Sequence, residues 1–215
     1  MIWIITAMSQ EAEHIINLYK LQPTKTFKNI KIFENNKIVL VLAGIWKIQA
    51  SLGASILCQN YKLEKIINIW IAGFTWKNPK AKIWDVFLVN EVLQHDGYLP
   101  FDWNHLDYFK KSIKLQTPKI EINFNFNIFE WVCATWDQFI DDKNKVEEIK
   151  NKFNADLVEM EAFATASVCR EFDILEKLII IKSISDDGSK QAITDHEKNL
   201  DLAMKNSIEV LREII

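Results

Sequence analysis

The sequence is poor in glycine and cysteine, and it lacks both a long apolar run and a basic leader. Among its 215 residues are 5 Gly and 3 Cys, and the cysteines are far apart without CxxC spacing. This spacing favours reduced thiols over a disulfide framework or a zinc site, and we expect no metal and no cofactor. The apolar start, Ile2–Met8, runs into Gln10-Glu11-Ala12-Glu13. We therefore expect no signal or membrane segment and a cytoplasmic location.

An excess of positive charge is absent as well. The net charge is -3, which argues against a nucleic-acid partner and leaves small molecules or proteins. The composition, 49% hydrophobic and 26% charged, is that of a globular chain. A chain of this length fits one domain spanning residues 1–215.

Along the chain, apolar runs typical of strands alternate with segments in which apolar residues recur at helical spacing. Strands are predicted at 2–8, 31–34, 37–43, 66–72, 86–92, 120–128 and 178–184, and helices at 11–19, 48–58, 146–153 and from 194 to the end. The strictly alternating stretch 120–128 is the clearest half-buried strand, whereas 23–29 is a polar connector and 95–115 an extended loop. This order predicts an α/β fold with a mostly parallel sheet, whose ligands bind at the carboxyl ends of strands.

Acidic residues follow several of these predicted strands. Glu11 follows the first and Asp186 follows the last, while Glu159 and Glu161 lie at the start of a helix rich in small residues within 156–168. A carboxylate at a helix start is stabilised by free N–H groups, and ordinary capping explains any one of these acids alone. Together they predict a crevice lined by carboxylates.

Five segments carry a resemblance to a known family. They are Ile5-Thr6-Ala7-Met8-Ser9-Gln10-Glu11, Ala43-Gly44-Ile45-Trp46-Lys47, Thr135-Trp136-Asp137-Gln138-Phe139-Ile140, Val158-Glu159-Met160-Glu161-Ala162 and Ile184-Ser185-Asp186. In order and spacing they resemble the purine nucleoside phosphorylase superfamily, and within it the 5'-methylthioadenosine/S-adenosylhomocysteine nucleosidases. The resemblance covers nearly the whole chain and is weakest over 98–130. It implies a three-layer α/β/α fold around a central mixed sheet and a role in methionine salvage.

The resemblance also implies roles for single residues. Glu11 orients an attacking water, Asp186 donates a proton or hydrogen bond to N7 of the purine, and Glu161 holds the ribose hydroxyls. The remaining substrate-binding positions are Phe139, which stacks on the base, Met160 beneath the sugar, Glu159 in weaker support of the ribose, and Ile140 and Ser185. A general acid at the base and anions near the sugar suit N-glycosidic cleavage, because positive charge builds on the sugar and negative charge on the base.

The family contains both hydrolases and phosphorylases. Phosphorylases bind phosphate through arginines and a serine or threonine early in the chain, whereas the arginines here are Arg170 and Arg212, and Ile71 stands where the family commonly has Ser or Thr. Water is therefore the expected nucleophile, and the expected substrate is a purine nucleoside. The alternatives are a purine nucleoside phosphorylase, a hydrolase for another purine nucleoside, and a non-catalytic nucleoside-binding protein. The resemblance further implies a homodimer, with Tyr98-Leu99-Pro100-Phe101 as its predicted contact.

Tryptophan, in contrast to glycine, is unusually abundant. There are 8 Trp, and Trp46, Trp70, Trp84 and Trp136 stand where the family pattern has glycine. A turn that requires positive φ admits glycine and disfavours an indole. One hypothesis is that UGA codons read as glycine in the source organism were translated as tryptophan. The alternative is a genuine Trp-rich variant, inactive if Trp70 and Trp136 crowd the pocket.

Overall fold

Two faces of one β-sheet carry the apolar core, as the alternation of buried side chains along the strands requires. A computed structural model describes residues 1–97 and 111–215 of the protein. The predicted contact segment Tyr98–Phe101 lies outside the described residues. In the described ranges the strands are β1 Ile2–Thr6, β2 Gln22–Phe27, β3 Ile30–Glu34, β4 Ile38–Leu42, β5 Lys65–Phe74, β6 Val86–Gln94, β7 Ser112–Lys114, β8 Ile128–Thr135, β9 Leu157–Glu159 and β10 Leu178–Asp186. The helices are α1 Ser9–Tyr19, α2 Lys47–Asn60, α3 Lys143–Phe153, α4 Ala162–Glu171 and α5 Ala192–Ile214.

The sheet is mixed and part of it closes on itself. Its strand order is β10-β6-β8-β9-β5-β1-β4-β3-β2, with β7 beside β6, and β10 additionally pairs with β5. The pairs β1–β4, β1–β5, β5–β10, β6–β8 and β8–β9 are parallel. The pairs β2–β3, β3–β4, β5–β9, β6–β7 and β6–β10 are antiparallel. The predicted α/β fold with a mixed sheet is confirmed, and the closure through β5 and β10 was not predicted.

Helices cover both faces of the sheet. Neighbouring side chains of β5 enter different apolar clusters: Ile66 packs in one and Ile67 in the other. Buried residues of α2 and α4 belong to the cluster of Ile66, and those of α1 and α5 to the cluster of Ile67. Because α4 presents small side chains, including Ala162 and Ala166, it packs closely against α2. In the described part of the chain, no helix is long and apolar enough to cross a membrane.

Four sequence predictions of local structure are wrong, the first being the extended loop 95–115, which contains strand β7. The predicted connector 23–29 is largely strand β2, whose side chains are all exposed, so it has no apolar alternation to reveal it. The predicted strand 120–128 forms no strand before Ile128. Its aromatic alternation instead reflects one-sided burial, since Phe124 and Phe126 stack with ring centroids 4.9 Å apart against the core. Glu159 ends a strand, and the helix after it begins only at Ala162, so only Glu161 lies at a helix start.

Candidate active site

One cavity opens at the carboxyl ends of β1, β5 and β10, beside β9 and the segment that joins β9 to α4. It encloses about 650 Å³ of space, open solvent at its mouth included. The lining residues are Ala7, Met8, Glu11, Ile45, Trp70, Ile71, Ala72, Gly73, Gln138, Phe139, Ile140, Val158, Glu159, Met160, Glu161, Ser185, Asp186 and His196. Every site residue predicted from the sequence is in this set. The structure therefore brings together residues that the sequence spreads from position 11 to position 186.

Glu11 lies in the first turn of α1 and points back towards the end of β1. Its Oε2 accepts hydrogen bonds from the N–H groups of Ala7, at 3.3 Å, and Met8, at 2.9 Å. Its Oε1 accepts one from the N–H of Ile71 at 3.4 Å. Burial raises the pKa of Glu11, while these N–H groups and the charge of Lys182 oppose the rise. The carboxylate is thus held in a fixed orientation and is more basic than a surface glutamate.

Asp186 ends β10 at an irregularity in the pairing with β5. The register shifts between Ile184 and Asp186, and Asp186 then pairs with Gly73. A Cβ atom on Gly73 would lie 3.0 Å from Oδ1 of Asp186, so a side chain here would push the carboxyl group by a few tenths of an ångström. Oδ2 accepts a hydrogen bond from the Ser185 hydroxyl at 2.8 Å, and Oδ1 accepts one from the N–H of Gly188 at 3.0 Å.

Burial raises the pKa of Asp186 to about 6, with the charge of Asp187 as a smaller contribution and the two hydrogen bonds opposing the rise. A raised pKa suits a general acid, because an ordinary aspartate is ionised near neutral pH and has no proton to give. The physical cause is that a carboxylate loses its hydration when it is buried.

Glu159 and Glu161 are two residues apart and have different surroundings. Glu159 accepts hydrogen bonds from the Thr135 hydroxyl at 2.5 Å, from Nζ of Lys182 at 2.8 Å, and from the N–H groups of Glu161, at 3.0 Å, and Ala162, at 2.9 Å. Its oxygens are thus already engaged by donors of the protein. Oε1 of Glu161 accepts a hydrogen bond from the N–H of Trp46 at 2.9 Å. Burial, followed by the charge of Glu159, raises the pKa of Glu161 well above its ordinary value.

Lys182 is a site residue that the sequence reasoning missed. Its side chain is completely buried, forms an ion pair with Glu159 and lies 4.5 Å from the centroid of the Trp70 ring. Burial alone would lower the pKa of Lys182, but Glu159, Cys133 and Glu161 outweigh it and raise the pKa. The signal in the sequence was a single charge within the apolar run Leu178–Ile184.

His196 is a second missed residue. Its Nδ1 lies 3.5 Å from Oγ of Ser185 and 3.9 Å from Oδ2 of Asp186, and its ring meets that of Phe139 edge-on at 5.7 Å. Burial lowers the pKa of His196, which favours the neutral imidazole. No sequence signal marks it, because only the docking of α5 on the sheet brings it to the cavity.

Of the two tryptophans considered as crowding the pocket, Trp70 lines the cavity and Trp136 does not. Trp70 lines the cavity and donates its indole N–H to the carbonyl oxygen of Ile5 at 2.6 Å. Trp136 is not among the lining residues and packs edge-on against His95, with ring centroids 4.8 Å apart. Within 1–97 and 111–215, no group of three or more His, Cys, Asp or Glu side chains is arranged to hold a metal ion.

This fold and this cavity belong to a known class of proteins. The family model described as the phosphorylase superfamily matches residues 1–215. The chain therefore belongs to the phosphorylase superfamily, as its sequence motifs predicted.

Two bacterial nucleosidases are similar to this chain in sequence over nearly its whole length. The chain is 30% identical over 229 residues to a 5'-methylthioadenosine/S-adenosylhomocysteine nucleosidase of Buchnera aphidicola, an alignment that covers 100% of this chain and 95% of the relative. It is 28% identical over 230 residues to the nucleosidase of the same name from Bacillus cereus strain B4264, covering 98% of both chains.

Solved structures share the fold. The nucleosidase of Neisseria meningitidis in complex with methylthio-immucillin-A superposes with a TM-score of 0.86 at 23% identity, covering 99% of this chain and 97% of that one. The futalosine hydrolase of Helicobacter pylori superposes with a TM-score of 0.84 at 21% identity, covering 99% and 95%. At these identities the likeness concerns the fold alone.

Proposed function

We propose that the protein hydrolyses the N-glycosidic bond of adenosine-type thionucleosides, 5'-methylthioadenosine and S-adenosylhomocysteine, and releases adenine. The observation that carries this proposal is that Glu11, Glu161 and Asp186, each at most 5% exposed, line one cavity. The two sequence relatives, both 5'-methylthioadenosine/S-adenosylhomocysteine nucleosidases, support the choice of substrate.

Asp186 is the general acid at the purine. When the bond between C1' of the sugar and N9 of the base breaks, the electron pair goes to the base, and a proton delivered to N7 neutralises it. An acid with a pKa of about 6 is protonated in a useful fraction of molecules near neutral pH, whereas an ordinary aspartate is not. The Ser185 hydroxyl and the Gly188 N–H orient the carboxyl group.

Glu11 and Glu161 serve the sugar side. Glu11 accepts a proton of the attacking water, whose oxygen bonds to C1', and the burial that raises its pKa makes it a better base. Glu161 accepts hydrogen bonds from the ribose hydroxyls, with Met160 beneath the ring. The ionised form of either carboxyl group also favours the positive charge that develops on the sugar.

The base lies between Phe139 and the end of β10. Phe139 is 36% exposed at the cavity mouth, so its ring is available for stacking on a purine. Ile140, which also lines the cavity, borders the base. Glu159 supports the ribose indirectly, because its oxygens hold the N–H groups of Glu161 and Ala162 and thereby fix the segment that carries Glu161.

Water rather than phosphate is the nucleophile. Neither Arg170 nor Arg212 lines the cavity, and Ile71 offers it an apolar side chain. Lys182, which contacts the lining carboxylate of Glu159, is held in an ion pair with it. This arrangement offers no bidentate fork to an oxyanion.

We extend the proposal to the assembly and location of the protein. It forms a homodimer of single-domain chains in the cytoplasm, where it acts in methionine salvage, and each chain has three α/β/α layers. The layers are supported by the helices packed on both faces of the sheet. The dimer is supported by the exposed apolar side chains of Ile45, which lines the cavity, and of Ile48 and Leu52 on α2, since such patches mark interfaces.

Adenine release tests the proposal. Purified protein is incubated with 5'-methylthioadenosine, S-adenosylhomocysteine, adenosine, inosine and futalosine, and the free bases are separated by chromatography. We expect adenine from the two thionucleosides and a fall in kcat of at least about 100-fold in Asp186→Asn. The matched control Glu209→Gln removes an exposed carboxylate on α5 and should keep full activity.

Other outcomes assign the alternatives. A preference for another nucleoside would indicate a hydrolase of different specificity. Acceleration by inorganic phosphate, with a sugar 1-phosphate as product, would make the protein a phosphorylase. Binding of 5'-methylthioadenosine without release of a base would make it a nucleoside-binding protein.

A further inference from the structure

Three tryptophans have backbone conformations that suit glycine. Their φ angles are +86° at Trp46, +58° at Trp76 and +75° at Trp84. In this region the Cβ atom of an L-residue crowds the backbone, and for a bulky residue the conformation is a genuine outlier. Trp46 also has ψ of 155°, which places it in a region that is essentially restricted to glycine.

Their indole rings are only partly buried, although Trp76 meets the Phe74 ring edge-on at 5.0 Å and Trp84 donates its indole N–H to Asn199 at 3.1 Å. Trp46 is 58% exposed, Trp76 is 46% exposed and Trp84 is 39% exposed. By contrast, Trp3 and Trp70 are 1% exposed and are absent from the residues with positive φ. The three strained positions therefore have backbones suited to glycine and side chains that are only partly buried, with Trp46 the most exposed.

Position 46 is linked to the candidate active site through its backbone. The turn before α2 contains Gly44, with φ of +96°, and Trp46. This turn aims the N–H of residue 46 at Oε1 of Glu161, 2.9 Å away, and the N–H of Lys47 at Oδ1 of Asp137, 2.8 Å away. Since Glu161 is 5% exposed, its orientation is set by protein donors rather than by bulk water.

We propose that residue 46 is a positioning residue, that it acts through its backbone N–H on Glu161, and that glycine is the residue the site requires there. Glycine adopts the observed φ without crowding, so it keeps the N–H directed at the carboxylate. Tryptophan at the same position favours other conformations of the turn, in which that hydrogen bond is lost. The assignment of Glu161 to the ribose rests on the proposed function, whereas the backbone requirement does not.

Kinetics of matched variants test the positioning role. Trp46→Gly and Trp46→Ala both remove the indole, but only glycine relieves the strain. We expect Trp46→Gly to raise kcat/KM for 5'-methylthioadenosine at least about fivefold, mainly through KM, and Trp46→Ala to stay within about twofold of the parent. The control Trp76→Gly relieves strain away from the cavity, so it should raise Tm by at least about 2 °C without changing kcat/KM.

Amide exchange tests the contact without any need for turnover. In the Trp46→Gly chain labelled with 15N-glycine, the residue 46 amide is the signal absent from the parent. We expect Glu161→Ala to speed its hydrogen exchange at least about tenfold. If exchange is unchanged, or if glycine and alanine at position 46 alter kcat/KM equally, the proposal is overturned. If no variant cleaves a nucleoside, the proposed function fails, and the exchange experiment still decides whether residue 46 positions Glu161.

Discussion

Substituting Asp186 by asparagine should lower kcat at least about 100-fold and at the same time stabilise the fold above neutral pH. Asparagine keeps the shape of the side chain and its Oδ1 can still accept the hydrogen bond from Gly188. Its amide can donate to the Ser185 hydroxyl in place of the bond that the carboxylate accepts. The substitution therefore removes the charge and leaves the packing intact.

The size of the expected gain in stability follows from the pKa of Asp186. Burial raises the pKa of Asp186 from 3.8 to about 6, so the folded state holds this proton more tightly than the unfolded state. One pKa unit corresponds to about 1.4 kcal/mol, so ionising Asp186 costs the folded state about 3 kcal/mol. Because the folded pKa is the higher one, stability is fully present below the unfolded pKa and is lost as pH rises through the folded pKa.

Urea unfolding across this range measures the effect. Near pH 4, where the folded parent is protonated at Asp186, we expect Asp186→Asn and the parent to differ by less than about 1 kcal/mol. At about pH 8 the variant should be more stable by about 3 kcal/mol, while Glu209→Gln follows the parent throughout. An advantage of Asp186→Asn that does not change with pH would refute the assignment of a buried acid with a raised pKa.

Four further results are expected. The parent's kcat should fall about tenfold per pH unit well above pH 6, because only protonated Asp186 can act as the acid; a flat pH–rate profile there would contradict this role. Gly73→Ala should lower kcat at least about tenfold in steady-state assays, since its Cβ would lie 3.0 Å from Oδ1 of Asp186. Lys182→Met should destabilise the protein by about 3 to 5 kcal/mol in urea unfolding, since it leaves Glu159 buried without its cation, and Glu159→Gln should recover part of the loss. The codons for Trp46, Trp76 and Trp84 should be UGA in the messenger RNA. UGG at these positions would refute the hypothesis that glycine codons were translated as tryptophan.

Local sequence patterns predicted most of the elements that frame the site. The runs of β1, β5 and β10 are buried on both faces, and their apolar composition is visible without knowledge of their partners. The hydrophobic pattern failed to predict strands where a segment pairs in the sheet without burying side chains, or buries side chains without pairing. Strand β2 pairs with β3 but buries nothing, and residues 120–127 bury aromatic rings without joining the sheet.

The sequence by itself determined which residue types are available for chemistry: Glu11 and Asp186 after strands, Glu161 at a helix start, and tryptophan at positions suited to glycine. Only the tertiary structure decided that these acids share one cavity, because β10 pairs with β5 and a register shift turns Asp186 towards Gly73. It also decided the contacts of Lys182 and His196, which depend on strand pairing and on the docking of α5. The periodicity of a sequence encodes which side of an element is buried, whereas the partners that meet there are set by contacts between residues far apart in the chain.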